Sequence, residues 1–168
     1  MKSIVLIGFA AAGKTTVGQL LASSLGCSFV DCDQLLQQAT GQSIEQMLGK
    51  GENYFRQQEN LLLAALPTQN SVIACGGGSV LCSSFANLAK DCTVVWLQVD
   101  VATCMDRLGQ AIRPLHDGKS PAQLQQMMAK RNTIYSKYAN LVVDAKGTPT
   151  QVAQKISAQL GTKQGEQL

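Results

Sequence analysis

The chain has 168 residues, 45% of them hydrophobic and 15% charged, with a net charge of +3. That length suits one domain around one core, and so small a charge leaves no electrostatic footprint for a nucleic acid or an acidic membrane surface. No apolar run approaches the ~18 residues of a membrane span, and six cysteines without a C-x-x-C pair, beside a single histidine, exclude a disulfide framework or a zinc cluster as the organising device.

The apolar runs Ser3–Ile7, Ser28–Cys32, Ser71–Cys75, Thr93–Val99 and Leu141–Val143 are predicted strands, separated by helical periodicity. The opening "MKSIVLIGF" is a short apolar run that enters a glycine-lysine loop directly, so it is expected to be the buried first strand and not a secretory leader. A β-α-β-α-β order implies a parallel sheet with helices on both faces, and ligands in such sheets bind beyond the carboxyl ends of the strands.

After the first strand comes "GFAAAGKTT", residues 8–16, a match to G-x-x-x-x-G-K-[ST] in the strand-before, helix-after context the motif requires. Backbone N–H groups from Gly8 through Ala10, Ala11, Ala12 and Gly13 to Thr16 are placed to wrap phosphate oxygens at a helix N-terminus. Lys14 adds a point charge at the β- and γ-phosphates, and the Thr15 hydroxyl is a hard oxygen ligand suited to Mg²⁺. The donor implied is a nucleoside triphosphate. Alanine at position 11 would resist any positive φ that a glycine accepts freely. The following helix is expected to bury Val17, Leu20, Leu21 and Leu25.

"VDCD" sets Asp31 and Asp33 two apart at the end of the second strand, where alternation would aim both carboxylates at one spot. Mg²⁺ with its waters would answer for one of the two, and for the other an acceptor hydroxyl whose proton a carboxylate within reach could take. The competing reading makes Asp33 a helix cap for "QLLQQA". "SIEQ" at 43–46 and "SPAQ" at 120–123 are capping boxes, and "TPTQ" at 148–151 opens the last helix in the same way.

Phe55, Glu59, Leu62 and Leu66 follow helical spacing, with Arg56 three residues before Glu59. Leu124, Met127, Met128 and Arg131 share a face of a later helix, and a charge on such a stripe needs a partner. Arg56 could form a surface pair with Glu59, and Arg131 a pair within the core. Both could instead clamp a substrate carboxylate, which a planar guanidinium fork suits. "VIACGGGSV" runs an apolar strand into Gly76, Gly77 and Gly78, where either a ligand lies against the backbone or the loop is flexible. "RLGQAIRPLHDGKS" carries Arg107, Arg113, His116 and Lys119 and is either a solvated basic loop or a lid bringing Arg113 over a transferring phosphoryl group. His116 is expected at the surface.

The GK loop, "DCD", "GENYFRQQE", "GGG", "RPL" and Arg131 followed by "YSKYA" stand in register over nearly the whole chain, and together they resemble shikimate kinase. The resemblance implies a three-layer α/β P-loop kinase fold: a five-stranded parallel sheet in the order 2-3-1-4-5, forming a single domain over residues 1–168 with a mobile lid at about 109–120. It implies transfer of the ATP γ-phosphate to the 3-hydroxyl of shikimate, in the route to aromatic amino acids. Lys14 and Thr15 would hold phosphate and Mg²⁺, with Asp31 reaching the metal through water. Asp33 would bind shikimate hydroxyls and act as base, Arg56 and Arg131 would hold its carboxylate, and the glycine run would meet the ring hydroxyls. Arg113 would reach the phosphates, Arg107 would lie along adenine, and the loop before Pro149 would close the base pocket. A cytoplasmic monomer without nucleic-acid or membrane partners is expected. Two features depart from the family pattern: Ala11 stands where its loop usually carries a middle glycine, and "RPLHDG" lacks the further apolar residue that commonly follows the Leu. The readings in competition are a kinase for gluconate or a nucleoside monophosphate, and a non-catalytic nucleotide-binding module.

Overall fold

The computed structural model describes residues 1–108 and 118–165, with side chains described to residue 161. Five strands, β1 (Ile4–Ile7), β2 (Ser28–Asp31), β3 (Ser71–Ala74), β4 (Thr93–Gln98) and β5 (Leu141–Asp144), form one sheet in the order 2-3-1-4-5. Every pairing is parallel. Leu6 stands opposite Ala74 on one side and Val95 on the other, so the central strands end nearly level.

The crossovers carry helices α1 (Lys14–Leu25), α2 (Cys32–Thr40), α3 (Ile44–Gly49), α4 (Glu52–Ala64), α5 (Phe85–Asp91), α6 (Val101–Leu108), α7 (Pro121–Tyr138) and α8 (Pro149–Gly165). All residues of β1 and β3 are buried, so these strands are covered on both faces, which is why they read as unbroken apolar runs instead of alternating. Among the described residues, no helix is long and apolar enough to cross a membrane.

Local chemistry sets the helix ends. Ser43 accepts from the Gln46 N–H and Gln46 Oε1 from the Ser43 N–H, and Ser120 with Gln123 repeats the box with Pro121 at the first helical position. Thr148 and Gln151 do the same for α8. The expected α1 face is rotated: Val17 and Leu21 are buried, but the rest of the buried face is Gly18 and Ala22, while Leu20 and Leu25 are exposed. Gly18 is the reason. A Cβ there would lie 2.6 Å from the Phe29 ring, so a glycine lets α1 press directly onto β2.

One strand boundary changes the site. β2 stops at Asp31, and Cys32 already begins α2. Asp31, not Asp33, is the cap: its Oδ1 accepts from the Asp33 and Gln34 N–H groups at 3.0 and 3.1 Å. Asp31 and Asp33 therefore do not share a strand face. Asp33 lies in the first turn of the helix.

Candidate active site

Beyond the carboxyl ends of β1, β2 and β3 lies a cleft of about 760 Å³. Its wall includes Phe9, Ala10, Ala11 and the segment from Gly13 to Thr16 on one side, and Arg56, Gly76, Gly77, Gly78 and Arg131 on the other, with Asp31 and Asp33 between them. The loop between β1 and α1 is shaped by its glycines. Gly13, at φ 90°, is the N-cap of α1, and a Cβ on Gly8 would lie 2.5 Å from the Leu97 carbonyl oxygen. Both motif glycines are thus required by geometry. Lys14 Nζ lies over the loop, donating to the Gly8 and Phe9 carbonyls at 2.8 and 3.0 Å. Ala11 does adopt a positive φ, 59°, the left-handed conformation that alanine resists.

The Thr15 hydroxyl donates to Asp31 Oδ2 at 2.6 Å, which sets two hard oxygen groups side by side at the N-terminus of α1. The Asp33 carboxylate lies directly against the glycine run: a Cβ on Gly76 would lie 3.2 Å from Asp33 Oδ1 and 3.0 Å from Glu59 Oε1. Two of the three glycines are explained by protein neighbours. Gly76 makes room for these carboxylates, and a side chain on Gly78 would collide with the Arg56 guanidinium, whereas a Cβ on Gly77 would meet the Gly8 and Ala10 backbone at an ordinary 3.5 Å. None of the three takes a positive φ.

Arg56 from α4 and Arg131 from α7 converge on this run. Arg131 Nη1 donates to the Gly77 carbonyl at 2.8 Å, and the Tyr135 hydroxyl, one turn further along α7, donates to the same oxygen. Tyr135 is fully buried, and burial pushes its hydroxyl up to about 12, so it remains a donor. Arg56 pairs with Glu59, as i,i+3 spacing suggested, but the pair is not at the surface: Glu59 is buried and also accepts from the Ser79 hydroxyl at 2.6 Å. Among the described residues, two buried nitrogens of Arg56, Nε and Nη2, make no hydrogen bond; Nη2 has the Glu52 carboxylate at 3.7 Å. Met127 and Arg131 are half-buried and face the cleft, whereas Leu124 and Met128 face the core.

This arrangement has relatives. The family model for shikimate kinase matches residues 10–161. The chain belongs to the shikimate kinase family. It is 40% identical over 162 residues to the shikimate kinase of Thermodesulfovibrio yellowstonii, covering 93% of each chain. It is 39% identical over 149 residues to that of Moorella thermoacetica, covering 86% of each. In structure it is similar to a shikimate kinase from Acinetobacter baumannii in complex with shikimate, with a TM-score of 0.89, 30% identity and coverage of 97% of this chain and 94% of that one.

Most residues expected from the shikimate kinase resemblance meet in this cleft, and a few do not. Ala12 is buried beneath the loop, Gly8 contributes its carbonyl to Lys14, and Pro149 is an exposed residue opening α8; none of the three is in the cleft wall. Arg107 lines the cleft but is anchored to the Ala11 and Ala145 carbonyls. Arg113, His116 and most of the expected lid lie outside the described residues. Glu59, Ser79 and Tyr135 were not anticipated as site residues. The available signal was an acid on an apolar stripe with Phe55, because a buried carboxylate requires a cation and donors around it.

Proposed function

We propose that the chain is an ATP-dependent shikimate kinase, giving shikimate 3-phosphate and ADP. The carrying observation is the convergence of Arg56 and Arg131, from two different helices, on the glycine run facing the phosphate loop. Arg56 still offers nitrogens that make no hydrogen bond, and a carboxylate presented by a small acid satisfies such a guanidinium. A nucleotide acceptor offers no carboxylate to this pair.

In this reading the loop N–H groups, Lys14 and the start of α1 hold the ATP phosphates. The Thr15–Asp31 pair suits Mg²⁺, since a small cation that keeps several waters needs only one or two protein oxygens. A Mg²⁺ ion held by these two oxygens would supply charge neutralisation for the phosphoryl group in transfer. Arg56 and Arg131 fix the shikimate carboxylate, the cleft-lining backbone of Gly76, Gly77 and Gly78 meets the ring hydroxyls, and Asp33 orients the 3-hydroxyl. As the oxygen attacks the γ-phosphorus, the bond to the β-phosphate oxygen breaks and the hydroxyl proton passes to Asp33. Arg107 lies beside the base, with the loop before Pro149 closing over it. Arg113, in the segment 109–120 read as a lid, adds positive charge over the transferring group. Residues 1–168 act as one kinase domain, a cytoplasmic monomer that takes a small acid and no nucleic acid or membrane, in the aromatic amino acid route. Incubation with Mg-ATP and shikimate, followed by ³¹P NMR, tests the reading. A phosphomonoester coupled to the ring proton at C3 is expected, and phosphate on another oxygen would overturn the placement of Asp33.

A further inference from the structure

We infer that the face of α6 carrying Cys104 and Arg107 positions the phosphate loop, holding it in a conformation that Ala11 disfavours. The inference rests on the reading of this loop as the ATP site. Ala12 N–H closes a four-residue turn onto the Phe9 carbonyl at 3.2 Å, which places Ala11 third in the turn, where type II turns take glycine. Ala11 holds φ 59° without that freedom. Two successive carbonyls at the crest of this turn are gripped from α6. The Cys104 thiol donates to the Ala10 carbonyl at 3.2 Å, and Arg107 Nη1 donates to the Ala11 carbonyl at 2.9 Å.

Cys104 and Arg107 are three apart, so they share one helix face. Arg107 Nη2 also donates to the Ala145 carbonyl at 2.9 Å, tying the turn to the end of β5. Cys104 is buried against Ala10, and burial raises its thiol to about 11, so it stays a donor. If Ala11 relaxed to a negative φ, its carbonyl would turn away from Arg107, and the following N–H groups would turn away from the phosphate. The two donors therefore bias the loop toward its binding-competent shape, and apparent affinity scales with that population. A residue that only lay along the base would have no reason to couple to the side chain at position 11.

The test is a double-mutant cycle on the KM for Mg-ATP, with shikimate saturating, crossing Arg107→Met with Ala11→Gly. Glycine takes the positive φ without steric cost, so it should make the grip dispensable. Losing a charge-assisted bond should raise KM by about tenfold or more with Ala11 in place, and by less than about threefold in the Ala11→Gly background, where the φ penalty is gone. Equal fold-losses in both backgrounds would overturn the inference and leave Arg107 a base contact alone. A second cycle does not depend on Arg107→Met folding. Cys104→Ala should raise KM severalfold beside Ala11 and hardly at all beside glycine, whereas Cys104→Ser, which keeps a donor, should remain near the parent. An equal loss for Cys104→Ala in both backgrounds contradicts the grip. Failure of the parent chain to consume Mg-ATP would instead refute the proposed function, so the two failures are distinct.

Discussion

Arg56 donates to Glu59 Oε2 across one turn of α4, and Glu59 is only 2% exposed. The same carboxylate accepts from the Ser79 hydroxyl and has the Cys82 thiol at 3.4 Å, so the acid that orients Arg56 is itself held by the segment that follows the glycine run. Beside it, burial, with Glu59 next, pushes the Cys82 thiol up to about 12. Glu59→Ala should destabilise the fold by about 3 kcal/mol, because a buried ion pair losing one partner strands the other. Urea unfolding measures this. The same variant should raise the KM for shikimate far more than that for ATP, and equal effects on both would detach Glu59 from the clamp.

Arg131→Ala removes a donor from the Gly77 carbonyl and one arm of the clamp. It should raise the KM for shikimate by about tenfold to a hundredfold, the scale of a charge-assisted hydrogen bond, with the ATP KM nearly unchanged. Steady-state kinetics with each substrate varied in turn decides this.

Asp33→Asn keeps the size of the side chain and removes the proton acceptor. A loss of about 10²- to 10⁴-fold in kcat is expected, with ATP binding intact by calorimetry. Near-normal turnover would end its role as base.

The sheet, the phosphate loop and the capping boxes were legible because each is a local pattern: apolar runs, a GK motif, and Ser with Gln three residues on. The relations that build the site are not local. "VDCD" reads as one strand, yet the Asp31 carboxylate caps the helix that Cys32 begins, which sends Asp33 elsewhere. Leu20 and Leu25 fit a helical stripe, but Gly18 rotates the buried face toward Phe29. Spacing could pair Arg56 with Glu59 but not say that the pair is buried, since burial comes from Ser79 and the glycine run. The bond from Arg107 to Ala11 spans 96 residues and has no local signature.

Alkaline stability should reflect these buried donors. Burial raises Tyr135 from 10.0 to about 12, and Cys92 and Cys104 each from 9.0 to about 11. The native state then keeps protons that the unfolded chain has released. Stability is fully present below pH 9, begins to fall as the unfolded thiols ionise, falls further as unfolded tyrosine ionises from pH 10.0, and is lost as pH passes through about 11 to about 12. Tyr135→Phe should remove only the added steepness that sets in above pH 10.0 and leave the decline due to the thiols, which continues to about 11. Urea midpoints between neutral and alkaline pH measure both, and an unchanged slope in the variant would contradict the assignment.

The most direct measurement is ADP release from Mg-ATP with shikimate, gluconate, AMP or no acceptor. The account predicts release that depends on shikimate and remains near background with the others. Release driven by gluconate or AMP, or no release with any acceptor despite measured ATP binding, would contradict it.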